Sequence, residues 1–129
     1  SKDENDSSII SYFTYDHLKY LFMGDASKQI ERQLIAKYDL KADVIKVGHH
    51  GSNTSSDPDF LDSLDCKIAL ISCGYKNKYG HPSVETLKTL ENLHINTLCT
   101  SDCGSIAIYS LYHLSFLVTN DGMFGIIWT

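Results

Sequence analysis

The alternation of apolar and polar positions divides this chain into short segments of two kinds. Residues 7–14, with Ile9, Ile10, Tyr12 and Phe13, and residues 18–23 flank Tyr15-Asp16-His17. Two such runs about a short turn predict a β-hairpin, with His17 a solvated turn residue. After Gly24-Asp25-Ala26-Ser27 the period changes. Ile30, Leu34, Ile35 and Tyr38 recur at helical spacing, with Lys28, Glu31, Arg32 and Lys37 on the polar face and Ser27 as N-cap. Residues 44–48, rich in β-branched side chains, predict the next strand. Asp57-Pro58 has the form of an N-cap and first-turn proline, opening a helix to Leu64. Residues 68–72 are almost continuously apolar, as in a strand covered on both faces. A helix from Ser83 to about Asn92 follows, then strands at 95–100, 105–111, 113–119 and 124–128, with turns at Asp102-Cys103-Gly104 and Asn120-Asp121-Gly122. The order β-β-α-β-α-β-α-β-β-β-β predicts a layered α/β fold, a mixed sheet with helices on one face.

Composition narrows the class. With 129 residues the chain makes one domain. Its 43% apolar and 21% charged content is that of a soluble globular chain. A net charge of −5 and pI near 5.6 exclude a general attraction to phosphate backbones or anionic membranes. Nucleic acid, if bound, must be held by local lysines or by a metal. No apolar run reaches the roughly 18–20 residues of a membrane span. The start, Ser1-Lys2-Asp3-Glu4-Asn5-Asp6, has no signal-peptide pattern and no methionine, and reads as part of a longer protein. Cys66, Cys73, Cys99 and Cys103 fit neither a zinc knuckle nor a secreted disulfide scaffold. Cys66 and Cys73 read as small buried thiols, while for Cys99 and Cys103, which flank a turn, the sequence leaves pairing on oxidation undecided.

Three loops carry the chemistry: Gly24-Asp25-Ala26, Gly48-His49-His50-Gly51-Ser52 and Gly80-His81-Pro82. Each follows a strand and leads towards a helix, the position where α/β folds gather ligands. Imidazole is both a common metal ligand and the proton carrier best matched to neutral pH. A carboxylate, an imidazole pair and a third imidazole at strand ends suit a hydrolytic metal site. Two structural alternatives stay open: Asp25 as a helix-capping carboxylate, and His81 as a loop residue set by the pre-proline backbone.

The blocks Asn5-Asp6-Ser7-Ser8-Ile9-Ile10, Leu21-Phe22-Met23-Gly24-Asp25-Ala26, Asp43-Val44-Ile45-Lys46-Val47-Gly48-His49-His50-Gly51-Ser52 and Lys78-Tyr79-Gly80-His81-Pro82-Ser83 occur in that order. Their order and spacing resemble the carboxy-terminal half of the metallo-β-lactamase-like domain of the ComEC family of DNA-internalisation competence proteins. The resemblance runs to about Ser105. It implies half of an αββα sandwich that holds two divalent metal ions, zinc or manganese, between its sheets. It implies that Asp25 bridges both metals, that His50 is the last imidazole ligand, and that His49 contacts the scissile phosphate or leaving oxygen. His81 then lines the same cleft. The implied reaction is phosphodiester hydrolysis of DNA during uptake, in a soluble domain of a protein of the cell membrane, facing either side. Lys46, Lys76 and Lys78 flank the same loops.

One part of the family pattern is missing. Its first metal-binding block, His-x-(His/Asp)-x-Asp-His, has no counterpart here, and His17, His94 and His113 have no acidic neighbour at ligand spacing except Asp16 beside His17. Catalytic zinc takes about three protein ligands, so Asp25 and His50 are expected to bind metal weakly or not at all within this chain alone. The expected partners are the amino-terminal half of the same domain, the membrane channel of the parent protein and DNA. A half-sandwich is also expected to expose a sheet face and to self-associate as a homodimer. Two other readings fit the motifs: a non-catalytic module docking on DNA or the channel, and a metallo-hydrolase acting on a small ester or phosphodiester.

Overall fold

A computed structural model describes residues 8–75 and 77–128. Residues 5–7 of the first motif block, and Lys76, therefore lie outside the described residues. The elements run β1 (Ser11–Tyr15), β2 (Leu18–Phe22), α1 (Lys28–Lys37), β3 (Val44–Lys46), α2 (Pro58–Ser63), β4 (Ile68–Ile71), α3 (Val84–Asn92), β5 (Asn96–Cys99), the single turn α4 (Thr100–Cys103), β6 (Ile106–Leu111), β7 (Leu114–Thr119) and β8 (Phe124–Ile127). A 3-10 turn, Gly48–Gly51, directly follows β3. The chain is mixed α/β, as its pattern predicts.

The strands form two sheets. Five lie in the order β1-β2-β3-β4-β5 and three in the order β6-β7-β8. β1 runs antiparallel to β2 through the two-residue turn Asp16-His17, which sets Tyr15 opposite Leu18. β2 to β5 are parallel, in a register that aligns Tyr20, Val44, Ile68 and Asn96. Their crossovers carry α1, α2 and α3, as parallel pairing requires.

Alternation along these strands separates two cores. Leu21, Met23, Ile45, Val47, Ala69, Ile71 and Cys99 face the helices and pack with Leu34, Phe60, Leu61, Leu64 and Leu90. Leu18, Tyr20, Phe22, Val44, Ile68, Leu70 and Leu98 face the other way and pack with Ile106, Ile108, Leu117 and Ile127 of the second sheet. Fully burying one such aliphatic side chain is worth about 1.5–3 kcal/mol. The expected bare face of a half-sandwich is thus corrected: the chain's own last three strands lie on it. A cleft of about 290 Å³ remains between the sheets, lined by Phe13, Tyr15, Tyr20, Phe22, Leu70, Ile106 and Ile108. The apolar face left open lies on the outside of β6–β8, where Tyr109, Phe116 and Ile126 stand in one row and Val118 and Phe124 in the next. Tyr109, Phe124 and Ile126 are exposed there.

Local signals explain the element ends. Asp57 caps α2, its side chain accepting from Phe60 N–H, with Pro58 opening the helix. Ser83 caps α3 by accepting from Thr86 N–H at 3.1 Å. Ser27 occupies the N-cap of α1 without a side-chain cap bond. The expected turn at Asp102 to Gly104 is instead the end of α4, closed by Gly104 at φ 71°. His113, expected in a strand, belongs to the β6–β7 turn at φ 65°.

Candidate functional site

The carboxyl ends of β2, β3 and β4 meet one cluster of side chains. Asp25 sits in the turn after β2 and the histidine pair in the 3-10 turn after β3. His81 lies in the loop between β4 and α3. The structure brings all four predicted residues together. His50 Nε2 lies 4.0 Å from Asp25 Oδ1, and the His49 and His81 rings have centroids 5.7 Å apart. A cavity of about 260 Å³ is lined by Gly24, Asp25, Lys46, Val47, His50 and Ser72, among others. A second, of about 170 Å³, is lined by His50, Cys73, Gly74, Asn77, Tyr79 and His81. His50 borders both.

The backbone is unusual where the imidazoles stand. His49 and His50 both adopt left-handed conformations, at φ 50° and 53°, which cost a non-glycine residue roughly 1–2 kcal/mol each. Hydrogen bonds hold them. His49 N–H donates to Gly24 carbonyl at 2.8 Å, tying the pair to the Asp25 turn. Ser55 Oγ donates to Gly48 carbonyl at 2.7 Å. Gly48 and Gly51 are required by contact. A Cβ at Gly48 would stand 3.0 Å from Ala26 carbonyl oxygen, and one at Gly51 2.7 Å from Pro82 Cβ. Ser83 N–H also donates to Gly51 carbonyl at 2.9 Å, so the histidine turn and the His81 loop are seated on each other.

The ring contacts separate the two histidines. His50 Nδ1 is 2.5 Å from Ser72 carbonyl oxygen. A carbonyl only accepts, so Nδ1 carries the proton and Nε2, on the Asp25 side, is the free nitrogen. A ring fixed in this way by a backbone carbonyl is how metal-ligating histidines are commonly oriented. His49 Nδ1 instead meets Thr54 Oγ1 at 3.2 Å. Burial, with His49 and His50 beside it, holds the His81 imidazole below its ordinary value, so it is neutral at neutral pH.

Four supporting residues escaped the sequence reading. Glu31, expected on the solvated face of α1, is buried at 1% exposure. Its carboxylate oxygens accept from Ser56 and Asp57 N–H, each at 2.7 Å. It thereby anchors the loop that follows the histidine pair, and burial pushes its carboxyl up to about 7. Asn77 holds the His81 loop with both ends of its amide. Nδ2 donates to Gly74 and His81 carbonyls, and Oδ1 accepts from Tyr79 and His81 N–H. Thr86 Oγ1 donates to Ser52 carbonyl at 3.2 Å. Thr54 bonds both His49 and Ser52. A legible cue existed for Asn77 alone, since Asn before a Tyr-Gly turn favours side-chain-to-backbone bonding.

The remaining expectations divide. Lys46 lines the Asp25 cavity. Lys78 sits over the Tyr79 ring, Nζ 5.0 Å from its centroid, and that ring stacks on His81 at 5.7 Å. His17 is not solvated: its side chain is 14% exposed and its Nδ1 lies 2.8 Å from Asp16 Oδ2. Among the thiols, Cys99 Sγ faces Cys73 Sγ at 2.7 Å, whereas Cys103 Sγ donates to Cys99 carbonyl. All four cysteines are free thiols, and the thiol that Cys99 meets is Cys73, not Cys103. Burial pushes the Cys66 thiol up to about 11, the state of an inert core thiol.

The fold and this cluster define a mixed α/β domain whose polar site is built on loops at parallel strand ends. No protein-family model matches the chain. It is 36% identical over 104 residues to ComE operon protein 3 of Bacillus subtilis, covering 80% of this chain and 13% of that protein. It is 33% identical over 106 residues to competence protein ComA of Neisseria gonorrhoeae, covering 81% of this chain and 15% of the relative. Recombination protein 2 of Haemophilus influenzae is 32% identical over 88 residues, which cover 68% of this chain and 11% of that protein. The chain belongs to the ComEC family of competence proteins. It spans about an eighth of the length of the curated relatives it matches. Among the described residues no helix is long and apolar enough to cross a membrane.

Proposed function

We propose that this chain is the carboxy-terminal half of a metal-dependent phosphodiesterase domain that cleaves DNA during uptake, within a membrane-associated competence protein. The carrying observation is the His50 ring. Its Nδ1 is committed to Ser72 carbonyl while its Nε2 stands 4.0 Å from Asp25 Oδ1. Two donors each about 2.1 Å from a shared zinc stand about 3.4 Å apart at a tetrahedral angle. A small side-chain movement closes that difference, so the donor set fits zinc or manganese. Bound metal supplies an activated water and charge neutralisation at a phosphate.

The chain's own residues then have distinct tasks. Asp25 and His50 would hold the ions. His49, kept in place by Gly24 carbonyl and Thr54, faces the phosphate or leaving oxygen. His81, neutral and stacked on Tyr79, lines the cleft from the opposite loop. Lys46 adds positive charge beside Asp25, which the acidic chain as a whole does not offer a polyanion. Two protein ligands fall short of the three that a catalytic zinc needs. The rest come from the amino-terminal half of the domain, and the chain alone hydrolyses nothing measurable.

The test joins this chain to that half. The joined protein is expected to bind divalent metal and to cleave single-stranded DNA, with Asp25→Ala and His50→Ala each abolishing cleavage. A joined protein that binds no divalent metal ends the hydrolase reading in favour of a docking module. Cleavage confined to a small chromogenic phosphodiester ends the nuclease reading.

A further inference from the structure

A second imidazole–carboxylate cluster lies at the other end of β2. The β1–β2 turn supplies Asp16 and His17, and the β6–β7 turn supplies His113. One donor atom from each of the three lies within 4.8 Å of the other two. Asp16 Oδ2 is 2.8 Å from His17 Nδ1, and Asp16 Oδ1 is 3.9 Å from His113 Nδ1. The rings of His17 and His113 stand edge to face, centroids 5.7 Å apart. His113 N–H also donates to Asp16 Oδ2 at 2.8 Å, which fixes the carboxylate between the two imidazoles. A cavity of about 470 Å³, lined by Tyr15, Asp16, Ser110, Leu111, Tyr112 and His113, opens the cluster to solvent.

The turn itself does not call for an imidazole. Tyr112 and His113 both have positive φ, at 49° and 65°. Two-residue turns of that kind favour Asn and Gly. His113 projects its ring at a carboxylate on the other sheet.

We propose that Asp16, His17 and His113 form a binding site for one divalent transition-metal ion of the zinc type, which ties the two sheets together at their hairpin turns. Two imidazole nitrogens beside a single carboxylate favour zinc over calcium or magnesium, which take oxygen ligands. Three protein ligands leave a position for water. The ion would be structural in effect, since a ligand that binds only the folded chain stabilises it by mass action. This site is independent of Asp25 and His50, which stand beyond the opposite end of β2.

Zinc titration calorimetry and thermal melting of the full chain test it. The unmodified chain and His50→Ala are expected to take up zinc and to melt at a higher temperature when it is present. His113→Asn, which suits the positive φ and alters a side chain that is 79% exposed, should keep the fold. It should lose zinc affinity by at least the roughly tenfold that even outer-sphere partners of a metal are worth, and lose the thermal shift. His17→Gln should do the same. Absence of zinc uptake by the folded chain overturns the proposal, as does uptake that His113→Asn leaves unchanged.

Discussion

The two ends of β2 hold histidines in opposite ways. At the carboxyl end, His49 and His50 stand on a turn whose backbone is bonded to Gly24, Ser52 and Ser55 and whose following loop is pinned by Glu31. At the amino end, His17 and His113 ride on hairpin turns and depend on one carboxylate, Asp16, for their order. The first arrangement is rigid because buried polar groups surround it. The second is rigid only as far as the two sheets stay in register. A loop buried in the fold needs partners for its own backbone groups, and those partners fix the side chains it carries.

The largest effect should come from the anchor. Glu31→Ala leaves two buried N–H groups unpaired, at about 1–3 kcal/mol each, and should lower the urea midpoint while broadening the His49 and His50 resonances. Next is Gly51→Ala, whose new Cβ meets Pro82 at 2.7 Å with φ at 77°. Overpacking and a left-handed alanine together should cost about 2–4 kcal/mol. Neither substitution should alter zinc uptake at Asp16, which keeps the two ends distinguishable.

A pH series sharpens the same point. The Glu31 carboxyl is raised from 4.5 to about 7 in the folded chain, burial being the largest cause. A raised folded pKa means that the folded state holds its proton more tightly. The contribution is therefore complete below about 4.5 and lost as pH rises towards about 7. The thermal midpoint should fall across that window, and Glu31→Gln should flatten the fall. An unchanged slope in Glu31→Gln would assign the pH dependence to another group. Asn77→Ala should be milder, about 1–2 kcal/mol, with its effect confined to the His81 loop by hydrogen exchange.

The smallest effect on stability should come from the outer face of β6–β8. Phe124 and Ile126 are 63% and 46% exposed, so replacing Phe124→Ser and Ile126→Thr should scarcely change the melting temperature. We expect the unmodified chain to self-associate through this face, and sedimentation should show the double substitution shifting it towards monomer. A chain that sediments as monomer over a wide concentration range would remove the self-association reading.

Much of this architecture was readable in the pattern of side chains. Apolar runs at residues 18–23 and 44–48, the second rich in β-branched side chains, and helical spacing from Ile30 to Tyr38 gave the strands and α1, and the glycines around His49-His50 marked the turn that carries them. What escaped detection was decided by distant partners. Glu31 has the helical phase of a solvated residue, and only the return of residues 52–57 across α1 buries it. The last three strands were found, yet their separation into a second sheet follows from the β5–α4–Gly104 path, not from their own sequences. His17 and His113 are far apart in the chain, and alone the one looks like an ordinary turn residue and the other like the first residue of a strand. Cys99 likewise lies four residues from Cys103 but packs on Cys73, because parallel pairing of β4 and β5 brings those strand ends together.

β2 has a further consequence as a spacer of fixed length. From Tyr20 to Met23 its line of successive residues belongs by turns to the sheet-facing core and the helix-facing core. Loss or gain of one residue would exchange the two sets and turn both cores inside out at once. The same change would alter the separation of Asp16 from Asp25 by about 3.3 Å. Length variation among related chains is therefore expected in the turns and loops, while the interval from Leu18 to Met23 stays constant.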